Sequence, residues 1–181
     1  MRDSYGAWAA RWRVPLGFAF AIAFAVLSQP RQTLLAAGSL VALAGLVLRA
    51  VAAGYIEKNK TLATGGPFRY TRNPLYLGSF ILGAGFMIAG ASWILVIAFV
   101  LLFPLVYFPV MRREEVFLRG RFGEAFDAYA AQAPLWLPIP GRRAAGNGVF
   151  RWRQYLKNRE YEAAAGWLAI FIFLTVKWML R

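Results

Sequence analysis

Apolar positions along this chain do not recur at a single helical or strand period. They gather into five long runs that are hydrophobic all round, as helices solvated by hydrocarbon require. The runs cover residues 14–28, 33–55, 75–91, 92–111 and 163–180. Each approaches the ~17–25 residues needed to cross about 30 Å of hydrocarbon, the first being the shortest. Pro15 falls in the first turn of its run, where a missing N–H is tolerated. A tight turn near Gly90 joins the third and fourth runs. The pattern predicts an all-α, polytopic membrane helix bundle with about five transmembrane helices. Residues 1–181 form a single membrane domain in this scheme, with an interfacial segment and the fifth span in 142–181. Arg11 and Arg13 ahead of the first run, with Val26 and Ser28 near its end, resemble a cleaved leader. Trp8 and Trp12 look like interface anchors and four runs follow, so the first is expected to stay as a span.

Charge orients the bundle. The formal net charge is +13, from 21 Lys and Arg against 8 Asp and Glu. Arg2, Arg11 and Arg13 precede the first run, and Arg31 alone lies between the first and second. The next connection holds Lys58, Lys60, Arg69 and Arg72, whereas the turn between the third and fourth runs holds no Lys or Arg. Ten lie in 112–159, and only Lys177 and Arg181 mark the far end of the last run. Alternate sides therefore carry 17 and 3, with Arg49 inside a run. By the positive-inside rule the N-terminus is cytoplasmic and the C-terminus is outside. Anionic lipids at the cytoplasmic face account for the charge, and no nucleic-acid partner is expected even though Phe150, Trp152 and Tyr155 sit among basic residues. The expected location is integral and multi-pass, in the plasma (inner) membrane if the source is bacterial.

Composition then narrows the chemistry. Sixty per cent of residues are hydrophobic and 17% aromatic. With no Cys and no His, disulfides, thiolate metal sites, cysteine nucleophiles, Ser-His-Asp triads and HExxH zinc sites are excluded. No metal ligand set is assigned. Carboxylates, Arg, Lys, Tyr, Asn and backbone must do the work, and most of the extramembrane chain lies on the cytoplasmic side.

Residues 112–131 read as an amphipathic cytoplasmic helix continuing from the fourth span, with Leu118, Phe122, Phe126 and Tyr129 in one stripe. Glu114 and Glu115 lie one turn before it. They either pair with Arg112, Arg113 or Arg119 on a solvated helix, or sit at the mouth of an apolar cavity and bind a cation or hydroxyls. Pro104 and Pro109 deprive the carbonyls of Val100 and Leu105 of helical donors, which implies either a neighbouring helix or a watery cavity there. Arg49 lies roughly 5–6 residues inside the second span and either snorkels or meets a carboxylate or phosphate. Arg69 and Arg72 beside the start of the third span form an anion site or a positive-inside anchor. Gly83 and Gly85 within that span permit close approach of a ligand, while Ser79 with Gly83 is also a small-xxx-small packing pair.

Taken together, these residues resemble the isoprenylcysteine carboxyl methyltransferase and phospholipid methyltransferase families of integral-membrane enzymes. The matching stretch is Gly66-Pro67-Phe68-Arg69-Tyr70-Thr71-Arg72-Asn73-Pro74-Leu75-Tyr76-Leu77-Gly78, followed by Gly83/Gly85 and Glu114-Glu115. Phe122-Gly123, Tyr129, Pro134 and Pro138 match the family's tail, and Gly45-Leu46-Val47-Leu48-Arg49 its second-span end. The resemblance covers about residues 45–138. It implies S-adenosylmethionine-dependent methyl transfer to a lipid or lipidated small-molecule or peptide acceptor. Arg72, Asn73, Tyr76, Gly83, Gly85, Glu114 and Glu115 would form the cofactor pocket, with Glu115, Arg49 and Arg69 toward the reacting groups. Asn73 stands where the family usually has His, and an amide does not take up a proton near neutral pH. The acceptor is a carboxylate or an amine. A carboxylate, steered by Arg49 or Arg69, needs no base, and an amine would need Glu114, Glu115 or Tyr as its base. Two other functions compete: a membrane sterol or enone reductase using NADPH, and a non-catalytic membrane scaffold or lipid-binding protein.

Overall fold

The computed structural model describes the backbone of residues 2–57 and 60–181, and side chains from residue 15 onward over the same span. The side chains of Arg2, Trp8, Arg11, Trp12 and Arg13, and all of Lys58, lie outside the described residues. The fold is all-α: α1 (Arg2–Leu27), α2 (Gln32–Gly54), a single 3₁₀ turn (Gly66–Arg69), α3 (Pro74–Gly90), α4 (Trp93–Phe122), α5 (Glu124–Gln132), α6 (Trp152–Lys157) and α7 (Tyr161–Met179). Three helices among the described residues, α2, α4 and α7, are long and apolar enough to span a membrane. Pro15–Leu27 and α3 are shorter apolar helices. All five predicted runs are helical, with ends shifted by one or two residues apart from the extension of α1 and α4 into polar sequence. Pro74 begins α3, where its fixed φ suits the first turn. α4 runs unbroken through Pro104 and Pro109. The connection from α3 to α4 turns at Ala91, whose φ of 49° is left-handed.

The amphipathic stretch 112–131 is two helices rather than one. Gly123 adopts φ 52° and ψ −129°, a backbone conformation that favours glycine, and there α4 ends and α5 begins. The apolar stripe survives the break, with Phe126 and Tyr129 buried and Leu118 and Phe122 packed beside them.

Contacts divide the chain into two units. The first comprises Met1–Leu43, Leu82–Glu114 and Trp167–Arg181, and the second Ala44–Ile81 and Glu115–Gly166. Within the first, Phe24, Leu35, Met87, Leu95, Phe171 and Leu174 form the core. Small residues let α2 and α3 touch backbone to backbone: a Cβ at Gly85 would lie 2.3 Å from the Ala42 nitrogen, and one at Gly38 2.5 Å from the Gly85 carbonyl oxygen. In hydrocarbon no solvent-exclusion force joins helices, so such close van der Waals contact carries the association.

Within the second unit, residues 141–160 lie along the C-terminal end of α2 and the loop after it. The Ala144 N–H donates to the Arg69 carbonyl and the Arg151 N–H to the Gly54 carbonyl. The Phe150 ring packs on Gly54 so closely that a Cβ there would fall 2.2 Å from it. Asn158 Nδ2 donates to the carbonyls of Ala53 and Ile56 at 2.9 and 3.2 Å, capping the end of α2.

Candidate functional site

The site grows from the six residues 71–76, where the chain turns into α3. The Arg72 N–H donates to the Pro134 carbonyl at 2.9 Å, and Asn73 Nδ2 donates to the Leu135 carbonyl at 2.8 Å. Thr71 Oγ1 accepts from the Asn73 N–H. These bonds dock the start of α3 on the segment after α5. Asn73 is therefore buried by a structural task, and its amide donates where an imidazole would carry a proton-dependent charge.

Arg72 is the hub. Its Nη1 donates to the carbonyls of Ala130 and Ala133 at 2.6 and 3.0 Å, satisfying the end of α5. Its Nη2 pairs with Glu115 Oε1 at 2.5 Å, with both side chains nearly buried. Its Nε is buried and has no hydrogen-bond acceptor among the described residues. A buried N–H without an acceptor costs roughly 1–3 kcal/mol, so a guanidinium held in this state suits an additional anionic or carbonyl ligand.

The two adjacent glutamates separate. Glu115 is buried and makes this long-range pair with Arg72, a partner that was not among the arginines the sequence offered for it. Glu114 is exposed and belongs to the first unit. Tyr76 is half-buried on the first turn of α3. Gly83 and Gly85 also belong to the first unit, where Gly83 faces the Phe99 ring and Gly85 faces α2.

Arg49 meets a carboxylate that sequence reasoning missed. Its Nε and Nη2 donate to the two oxygens of Glu160 at 3.0 and 2.9 Å, and Nη1 donates to Ser79 Oγ. Ser79 Oγ in turn donates to the Leu75 carbonyl. Glu160 is buried and lies outside the segment that resembles known enzymes. In the sequence it is one of two carboxylates, with Glu162, just ahead of the last apolar run, and nothing there singles it out. Arg69 Nε donates to the Ala144 carbonyl at 3.3 Å, so this arginine anchors the 141–160 segment. Tyr129 Oη donates to the Phe68 carbonyl at 2.8 Å and ties α5 to the 3₁₀ turn. Burial pushes the Tyr129 hydroxyl well above the ordinary tyrosine range, and Arg72 opposes this.

An all-helical chain with helices long enough to span a membrane thus holds a nearly buried and a part-buried arginine–carboxylate pair, the first with a donor unfilled among the described residues. This defines an integral-membrane protein with a charged site built on the start of an apolar helix. Residues 34–125 match the model of the phospholipid methyltransferase family, and the chain belongs to that family. It is 40% identical over 84 residues to the cobalt-zinc-cadmium resistance protein CzcN of Cupriavidus metallidurans, covering 45% of this chain and 38% of that protein. It is 37% identical over 84 residues to the nickel-cobalt-cadmium resistance protein NccN of Alcaligenes xylosoxydans xylosoxydans, with the same coverage. It is 26% identical over 96 residues to a protein-S-isoprenylcysteine O-methyltransferase of Schizosaccharomyces pombe, covering 53% of this chain and 41% of that protein. The chain thus spans about two fifths of the length of these relatives. No solved structure matches it.

Proposed function

We propose that this protein is an S-adenosylmethionine-dependent methyltransferase acting on a lipid-borne acceptor at the cytoplasmic membrane face. The observation that carries this is the buried Arg72–Glu115 pair with an Arg72 Nε lacking an acceptor. A carboxylate and an ammonium side by side are what an amino-acid group presents, and a guanidinium donor beside a carboxylate acceptor complements both. Family membership and the name of the fission-yeast relative support the same chemistry.

S-adenosylmethionine supplies a methyl group on a sulfonium, and that electrophile needs neither metal nor covalent enzyme intermediate. In this scheme Arg72 Nε would hold the carboxylate of the methyl donor. Glu115 holds the guanidinium in place and would accept from the donor's ammonium or ribose hydroxyls. Asn73 fixes the entry to α3, and Tyr76 on the first turn of α3 would line the same side of this unit. Positioning the acceptor and excluding water supply much of the rate in such a displacement.

A carboxylate acceptor fits this chain better than an amine. A lipid ammonium must first lose a proton, and the buried carboxylates Glu115 and Glu160 are both already engaged by arginine rather than presented to an acceptor. Arg49 is taken up by Glu160, which leaves the outer nitrogens of Arg69 as the better guide for an acceptor carboxylate. The orientation follows the charge asymmetry, with five spans, a cytoplasmic N-terminus and, for a bacterial source, the plasma membrane.

Isothermal calorimetry on purified protein tests this directly. Saturable binding of S-adenosylhomocysteine is expected. Saturable NADPH binding with no S-adenosylhomocysteine heat would overturn the assignment in favour of a reductase. Transfer of labelled methyl to native lipid extract then identifies the acceptor by whether mild base releases the label, as from an ester.

A further inference from the structure

The first unit contains an apolar cavity that the methyl-transfer site does not use. It has a volume of about 340 Å³ and is lined by α1 (Phe20, Ala21, Phe24), α3 (Phe86, Met87) and α7 (Phe173 among others). That volume falls within the roughly 300–1,000 Å³ of small-molecule sites. All of its walls are apolar helices, so in a membrane the medium available to fill it is hydrocarbon.

One end of the cavity carries a fixed positive charge. Lys177 Nζ donates to the carbonyl of Ala25, itself a cavity-lining residue, at 2.5 Å. It also donates to the Val26 carbonyl at 3.2 Å and Ser28 Oγ at 3.1 Å. It lies 5.9 Å from the centroid of the Phe173 ring, another part of the lining. Every one of these acceptors is neutral, so the ammonium is oriented, and among the described residues no carboxylate pairs with it. Arg181 follows four residues later and adds a second positive charge at the same helix end. An apolar slot ending at an ammonium that has only neutral acceptors among the described residues complements one amphipathic chemistry, a hydrocarbon chain bearing an anionic head.

We infer that this cavity binds one anionic membrane phospholipid, its acyl chain between α1, α3 and α7 and its phosphate at Lys177. The inference rests on the chain spanning a membrane and is independent of methyl transfer. On the proposed orientation the lipid comes from the outer leaflet, because the C-terminal end of α7 faces outward.

Native mass spectrometry of the full chain, released from nanodiscs containing equal phosphatidylglycerol and phosphatidylcholine, tests it. The wild-type protein should retain one phosphatidylglycerol per chain in preference to phosphatidylcholine. Gly17→Leu adds an apolar side chain to the cavity lining at a position where a Cβ meets nothing within 4 Å. This variant should lose the bound lipid while keeping its helical circular dichroism. Lys177→Gln should retain lipid but bind phosphatidylglycerol roughly tenfold less selectively, as expected for loss of one charge-assisted hydrogen bond. Lys177→Arg should restore the selectivity. Retention that ignores the headgroup in the wild-type protein, or that is unchanged in folded Gly17→Leu, would show only annular lipid and overturn the proposal. Methyl-donor binding by calorimetry is read separately in each variant and is expected to be unchanged.

Discussion

Glu114 and Glu115 are adjacent in sequence, yet only Glu115 is buried against an arginine from a distant segment. Glu115→Gln should therefore weaken S-adenosylhomocysteine binding about tenfold or more, and Glu114→Gln should do much less. Calorimetry on the two folded variants checks this, and equal losses would remove the distinction. Tyr129 gives a second test at the same scale. Burial raises its pKa, so the folded state holds its proton more tightly than the unfolded state. Stability is then insensitive to this group below the ordinary tyrosine value of about 10 and falls as pH rises through and above it. Thermal unfolding of Tyr129→Phe should show a shallower alkaline loss than the wild-type protein, at the expense of the hydrogen bond to Phe68. Single residues were only partly legible in the sequence. The Arg72–Glu115 alignment lay within a recognisable order of motifs, whereas Glu160 sits 111 positions from Arg49 and no periodicity links them. A contact of that kind is set by how the 141–160 segment is laid down, which is a tertiary property.

Helices were the most legible elements, because in hydrocarbon a segment must satisfy its own backbone and so announces itself by uninterrupted apolar residues. What the apolar pattern could not register was the break at Gly123. The spacing of Leu118, Phe122, Phe126 and Tyr129 continues across it, and those side chains still share one cluster. A positive φ is required there, so Gly123→Ala should destabilise the protein by about 1–3 kcal/mol, although a Cβ at that position meets no neighbouring atom. Gly120→Ala, in open space within α4, supplies the control and should be neutral or slightly stabilising. Chemical denaturation in mixed micelles measures both, and equal effects would mean that Gly123 is not held in its observed conformation. The 141–160 segment was legible only as an interfacial stretch rich in arginine. Its bonds to the carbonyls of Ala53, Gly54, Ile56 and Arg69 show why it has no apolar period: it is bound by polar groups and by Phe150 on Gly54.

At the scale of the molecule, positive charge is the feature with the widest consequence. Among 21 Lys and Arg, 17 fall on one side of the membrane in the proposed five-span topology, and labelling can separate that topology from one using only the three longest helices. With α1 and α3 both spanning, Ser92 and Arg181 lie outside, and Gln132 and Gly141 lie inside. If only α2, α4 and α7 spanned, Ser92 and Gly141 would fall on opposite sides but Gln29, ahead of α2, would face the same side as Gly141. The five-span arrangement instead places Gln29 with Ser92. The chain contains no cysteine, so single substitutions can be read without removing any native thiol. In intact cells a membrane-impermeant maleimide should label Gln29→Cys, Ser92→Cys and Arg181→Cys, and should label Gln132→Cys and Gly141→Cys only after permeabilisation. Labelling of Gly141→Cys in intact cells would invert the orientation and move the Arg72–Glu115 site away from cytoplasmic S-adenosylmethionine. Protection of Gln29→Cys with labelling of Ser92→Cys would reduce the bundle to three spans. Moving Lys or Arg from the 112–159 segment to the turn at Ser92 should weaken the expected pattern, because it is the side-to-side difference in Lys and Arg that sets the orientation.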